Sequence, residues 1–519
     1  MRSPNRLTGP FNAMLMVAAL AAPSMTRAQA AAQAAAPPVD PPARVSVVKI
    51  ASGRLAGLSD GVTSSWKAIP YAAPPVGPLR WRPPQKVQAW PGVRAADKVG
   101  ALCQQKYNPT DNGVGPPPMS EDCLTLNVWA PVKAKRAPVM VWIHGGGYAN
   151  GSGTAALYDG QALAKQGVVV VTLNYRLGRF GFFAHPALKA SAPGEMIGNY
   201  GLMDVVAALS WVRDNIDRFG GDPAQVTIFG ESAGGAAVNA LMVSPIARDL
   251  FSKAVVQSGL GREGMASVDE ASASGVAFAQ QLGLQDASAA QLRGLSADAI
   301  VQAGDIEILK GQGPMLDGQL LTRTPAQAFA LGLEAPAPYL IGWNSLEFPV
   351  PAALFEMSLS ASPAFTAQAK ANLKAAYPDA QTYSDHVFSD FIFVEPAVNL
   401  ARLHARNGHP TYAYQFSVLA DAAPKTFKGA PHATERPYVF KTLAASSWPL
   451  DARDAVLAET LSAYWTSFAK TGAPRAEAAP AWPRFEPLAA PIMDFTNSGP
   501  RAGAAPRPEA LKALQALHP

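Results

Sequence analysis

Short apolar runs alternate with stretches of helical spacing through the first half of the chain, the pattern of an α/β sheet wrapped by helices. Residues 139–143 form one such run, which stops at His144-Gly145-Gly146-Gly147. Residues 168–173 form a second, whose unbroken valines suit a strand buried on both faces. Residues 202–212 carry helical spacing, and residues 225–229 and 254–257 read as further strands. From 266 to 303 the texture changes to Ala, Ser, Gln and Leu with helical periodicity, which predicts a helical insertion. Strands return at 338–343 and 411–416, with a second helical insertion between them, over about 350–410. The insertions, bounded at about 260–335 and 350–410, are expected at the loop ends of the sheet, where substrates are gripped. No internal repeat or long linker interrupts residues 44–519, so one catalytic domain is expected.

The first residues change the picture. Arg2 and Arg6 precede an apolar run from 11 to 22, followed by Ala28-Gln29-Ala30. This is the layout of a secretory signal peptide over 1–30, too short to span a bilayer. Residues 31–43, rich in Ala and Pro, read as a flexible lead-in. Cleavage removes three arginines and no acid, which lowers the formal charge from +5 to +2. A near-neutral mature chain gives no electrostatic case for nucleic acid, and stable membrane insertion is not expected. Only 16% of the residues are charged and 49% are hydrophobic, so the chain can bury a large core. Export also gives meaning to the only two cysteines: an oxidising compartment favours a Cys103–Cys123 bond, worth roughly 3 kcal/mol for a loop of this length. No Cys/His cluster has zinc spacing, so no metal site is expected.

A serine hydroxyl becomes a nucleophile when a base takes its proton, and a tight strand-to-helix turn flanked by glycines presents it. G-x-S-x-G occurs twice, at Gly230-Glu231-Ser232-Ala233-Gly234 and at Gly57-Leu58-Ser59-Asp60-Gly61. Ser232 follows the apolar run Val226-Thr227-Ile228-Phe229 and precedes a stretch of small residues, whereas Ser59 lies among turn residues. Ser232 is therefore the candidate nucleophile, and Ser59 is read as part of a surface hairpin. The glycine loop after residue 143 suits an oxyanion hole, with the N–H groups of Gly146, Gly147 and Ala233 as donors. His144 reads as a loop anchor.

With these motifs the sequence resembles the type-B carboxylesterases, the α/β-hydrolase family that includes the cholinesterases. Further matching blocks are Ile69-Pro70-Tyr71-Ala72, Glu121-Asp122-Cys123-Leu124, Asn174-Tyr175-Arg176, Phe219-Gly220-Gly221-Asp222-Pro223 and Phe468-Ala469-Lys470-Thr471-Gly472. The resemblance implies an α/β-hydrolase fold, with a large, mostly parallel sheet flanked by helices. It implies a Ser-Glu-His triad acting on small-molecule carboxylic esters through an acyl-enzyme, with no cofactor. The family's acid lies in an Asn-x-x-Glu turn after a strand, which points to Glu347 in Asn344-Ser345-Leu346-Glu347, with Asp317 as the alternative. Its histidine block points to His432 in Gly429-Ala430-Pro431-His432, leaving His386, His404, His409 and His518 as surface or structural residues. Two positions depart from the family, where glycine is usual: Ala433 after the histidine and Phe348 after the acid. Glu231 is read as a buried carboxylate behind the nucleophile. Cholinesterases carry a tryptophan in the loop closed by the first disulfide; residues 104–122 have none, so choline esters are not expected substrates.

Overall fold

The computed structural model describes residues 44–109, 118–262, 264–303 and 313–518. The expected signal peptide and lead-in lie outside them. One sheet of 13 strands organises these residues. In chain order its strands are β1 (Arg44–Ile50), β2 (Gly53–Ser59), β3 (Thr63–Pro70), β4 (Val93–Ala95), β5 (Thr125–Pro131), β6 (Ala137–Ile143) and β7 (Val169–Leu173). After these come β8 (Gly221–Glu231), β9 (Lys253–Gln257), β10 (Tyr339–Asn344), β11 (Thr411–Phe416), β12 (Pro491–Thr496) and β13 (Gly499–Ala504). The spatial order is β1-β2-β3-β5-β7-β6-β8-β9-β10-β11-β12-β13, with β4 beside β2. From β7 through β12 all neighbours are parallel, while β1, β2, β3, β5 and the final β12–β13 pair run antiparallel. This is the α/β-hydrolase arrangement.

The strand period of two divides the core between the two faces of the sheet. Val139, Val141 and Ile143 of β6 join one apolar cluster, and Met140 and Trp142 between them join the other. Fully burying one such side chain stabilises the fold by about 1.5–3 kcal/mol. Helices α1 (Tyr200–Asn215) and α2 (Ala233–Met242) contribute to the first cluster. On the opposite face, a later helix over Ala452–Thr471 places Leu461, Trp465 and Phe468 in the second.

The region from 266 to 303 holds helices at Val268–Gln281, Ala289–Arg293 and Ala297–Ala303. Capping boxes at Ser267 and Ser288 start the first two. The second helical region runs from Ala352–Leu359 to Glu395–Arg406, and its last part is a long helix widened by a π turn at Asp390–Val394. Pro396 lies just beyond that turn, without an N–H and with a ring that crowds the carbonyl four residues back. The π turn carries Phe393, whose ring lies 5.1 Å from that of His432. Cys103 and Cys123 are joined in a disulfide.

Candidate active site

Strand β8 ends at Glu231 and α2 begins at Ala233, so Ser232 alone makes the turn. Its φ of 55° and ψ of −124° lie where a residue with a Cβ is strained by roughly 1–3 kcal/mol. The Ser232 N–H donates to the carbonyl of Gln257 at 2.9 Å, which fastens the turn to the end of β9. Close approach requires glycine at 234: a Cβ there would stand 2.0 Å from the carbonyl oxygen of Ile143. The chain thus brings the end of β6 directly against the first turn of α2.

Glu347 follows β10 and His432 follows β11, so neighbouring strands deliver both to one edge of the sheet. His432 Nδ1 and Glu347 Oε2 are 2.6 Å apart, and the His432 N–H donates to the Glu347 carbonyl at 2.9 Å. The second carboxylate oxygen of Glu347 accepts from the Asn344 N–H and from Ser258 Oγ, each at 2.7 Å. The acid is thus held on three sides. His432 Nε2 is 3.1 Å from Glu231 Oε1, and the Arg436 guanidinium lies 3.8 Å from the other oxygen of Glu231. Glu435, fully buried, accepts from Gln257 at 2.9 Å and from Asn344 at 3.0 Å. Burial pulls the His432 pKa down, but the charges of Glu231, Glu347 and Glu435, with the Glu347 hydrogen bond, outweigh it and raise it from 6.5 to about 9. No Ser232–His432 hydrogen bond occurs among the described contacts, and such bonds commonly tighten only when substrate is bound.

The glycine loop rests on the same corner. A Cβ at Gly145 would stand 2.7 Å from the Glu231 carbonyl oxygen and 3.0 Å from Ser232 Cβ. Gly146 and Gly147 both adopt positive φ, 100° and 62°. His144 is buried, stacks on Tyr175 with ring centroids 4.5 Å apart, and has its carbonyl held by the Tyr175 hydroxyl at 2.9 Å. The glycine loop, Ser232 and the Glu347–His432 pair thus gather at one edge of the sheet, an arrangement suited to acyl transfer.

A family model described as the carboxylesterase family matches residues 44–513. The chain belongs to the carboxylesterase family. It is a carboxylic ester hydrolase of the serine type. The fumonisin B1 esterase of Sphingopyxis macrogoltabida is 37% identical to it over 484 residues, spanning 88% of each chain. The para-nitrobenzyl esterase of Bacillus subtilis is 37% identical over 465 residues, 85% of this chain and 92% of that one. A solved PNB esterase superposes with a TM-score of 0.81 at 33% identity, covering 90% of this chain and 99% of the other.

The remaining candidates of this carboxylesterase lie elsewhere. Ser59 closes the β2–β3 hairpin, its Oγ donating to the Thr63 carbonyl at 3.0 Å. Asp317 accepts the N–H groups of Gln319, Leu320 and Leu321 and an Asn199 amide, a turn-forming role. His404 is fully buried against Glu334, and His518 stacks on Phe391 with centroids 4.3 Å apart. Phe348 lies over the His432 ring at 4.6 Å, and Phe393 approaches it at 5.1 Å. Ala433 adopts φ 68°, the left-handed region in which the family's glycine is unstrained. Sequence reasoning missed Ser258, Phe393 and Glu435. The signal available for Glu435 was its place three residues after His432; Ser258 and Phe393 had none.

Proposed function

We propose that Ser232, His432 and Glu347 carry out the ester hydrolysis, with the N–H groups of Gly146, Gly147 and Ala233 as the oxyanion hole. His432 takes the Ser232 proton as Oγ attacks the ester carbonyl; the alcohol leaves with that proton and an acyl-enzyme remains. Water, deprotonated by the same histidine, then releases the acid. Glu347 holds Nδ1, which turns Nε2 toward the nucleophile side and stabilises the imidazolium that forms. Glu231, beside Nε2, adds to that stabilisation, and Arg436 offsets its own buried charge. The observation that carries the reading is the 2.6 Å Glu347–His432 contact at the sheet edge that also presents the strained Ser232.

Residues 44–519 form one catalytic unit exported by the signal peptide at 1–30, and the Cys103–Cys123 bond supports an oxidising destination. No helix among the described residues is long and apolar enough to cross a membrane. The mass of the purified mature protein checks the cleavage site, expected near Ala30. Hydrolysis of a p-nitrophenyl ester series tests the chemistry. Ser232→Ala should lower turnover by ~10⁴-fold or more; a variant that keeps wild-type rates removes Ser232 from the mechanism.

A further inference from the structure

At the opposite edge of the sheet the chain gathers a second group of ionisable side chains. Glu334 precedes β10, His404 lies in the last turn of the helix Glu395–Arg406, and His409 precedes β11. One potential ligand atom from each lies within 4.8 Å of the other two. Six-residue strands separate this group from Glu347 and His432 by about 20 Å. The two sites are independent.

His404 is fully buried, and its two nitrogens have defined partners: Nε2 lies 2.9 Å from the Ala337 carbonyl oxygen and Nδ1 lies 3.0 Å from Glu334 Oε1. A carbonyl only accepts, so Nε2 carries a hydrogen and donates it. The other nitrogen, Nδ1, therefore faces the Glu334 carboxylate. An imidazole whose other nitrogen donates to a backbone carbonyl is the common form of a metal-binding histidine. Glu334 Oε2 is buried without a hydrogen-bond partner among the described residues, and Asn407 orients the other oxygen at 2.9 Å. His409 brings a second imidazole, its ring centroid 4.8 Å from that of His404. His409 is only half-buried, which leaves a path from solvent.

We propose that Glu334, His404 and His409 bind one divalent transition-metal ion of the zinc class. Two imidazoles and one carboxylate suit that class, with solvent completing a tetrahedron on the His409 side. Ligand atoms around such an ion are roughly 3.3–3.5 Å apart for bonds of 2.0–2.1 Å, so on binding the His404–Glu334 contact opens by roughly 0.3–0.5 Å and the His409 ring adjusts to meet the ion. The ion takes the Nδ1 side of His404, and any hydrogen held there leaves to solvent. It joins the approach to β10, the end of a long helix and the approach to β11, and so acts on stability and leaves the ester chemistry untouched.

The test uses the tag-free mature protein, stripped with EDTA and titrated with zinc sulfate by calorimetry, with a thermal melt at each addition. Wild type should take up one zinc per chain and melt at a higher temperature with zinc than without. His409→Ala should bind at least tenfold more weakly and lose the zinc-dependent rise, while p-nitrophenyl ester turnover stays at wild-type level and shows the variant folded. Should that variant lose turnover, His409→Gln replaces it under the same criteria. Cobalt(II) gives the second readout: tetrahedral visible absorption in wild type, absent in the variant. No zinc uptake by wild type, or equal uptake by wild type and variant, overturns the proposal.

Discussion

Strand β10 has a glutamate–histidine pair at each end. At one end Glu347 meets His432 at 2.6 Å; at the other Glu334 meets His404 at 3.0 Å. The pairs differ in what the second ring nitrogen faces. For His404 it is the Ala337 carbonyl, and neither side chain is exposed to solvent. For His432 it is Glu231, on the side of the nucleophile, and 14% of the side chain remains exposed. The carboxylate orients the ring in both cases; a second nitrogen on the partly exposed Ser232 side, and not one tied to a backbone carbonyl, is what separates a base from a fastening. His432 also sits among three carboxylates, whereas among the described residues Glu334 is the only one bonded to His404.

Breaking each pair in turn should give opposite signatures. Glu347→Gln should lower kcat by ~10⁴-fold, as loss of the orienting carboxylate does in such triads, with a modest change in melting temperature. His404→Ala strands a buried carboxylate and should cost about 3–5 kcal/mol of stability, while kcat of the folded fraction holds. Chemical denaturation and kcat measured on both variants check this; a kcat loss in His404→Ala comparable to that of Glu347→Gln would end the distinction.

A smaller effect sharpens the contrast through pH. His432 accepts a proton only when uncharged, so kcat/KM should climb as the pH rises through about 9. Glu231→Gln removes one of the charges that raise this pKa and should move the limb downward by about one pH unit, toward the ordinary value. The same shift links to stability. Because the folded value is raised from 6.5, the contribution of His432 is fully present below that pH and is lost as the pH rises through about 9. A pH–rate profile and a series of melts on wild type and Glu231→Gln read both.

The smallest effect concerns Ala433. Its φ of 68° strains any residue with a Cβ, so Ala433→Gly relieves about 1 kcal/mol, part of which the added freedom of the unfolded glycine offsets. Chemical denaturation should show a gain below 1 kcal/mol, and a clear loss would mean that the alanine methyl packs usefully.

The central parallel strands were legible because both faces are buried, so residues 168–173 read as a strand through their unbroken valines. The flanking antiparallel strands were not. β1, for example, shows only Val48 and Ile50 to the core and exposes Val45 and Val47. Ser232 was legible because strand, turn and helix are contiguous in sequence. Glu347 and His432 came from the family's motifs, since nothing local says that residues 85 positions apart will meet. Ser258 and Phe393 touch the site through tertiary placement alone. The same holds for Glu334 and His404, 70 residues apart, which no metal-ligand spacing could reveal.

The crossing of Gly234 over the Ile143 carbonyl has a consequence for how such enzymes exchange parts. That contact is backbone against backbone, and the strand and helix meeting there, β6 and α2, are separated in the chain by β7, α1 and β8. Side chains can differ freely between relatives without altering it. A recombinant that joins residues up to 147 of this chain to the nucleophile segment of a relative should therefore assemble the corner without compensating substitutions. Chimeric breakpoints placed between the glycine loop and β8 would then inherit the reactive geometry whole, whichever parent supplied each half.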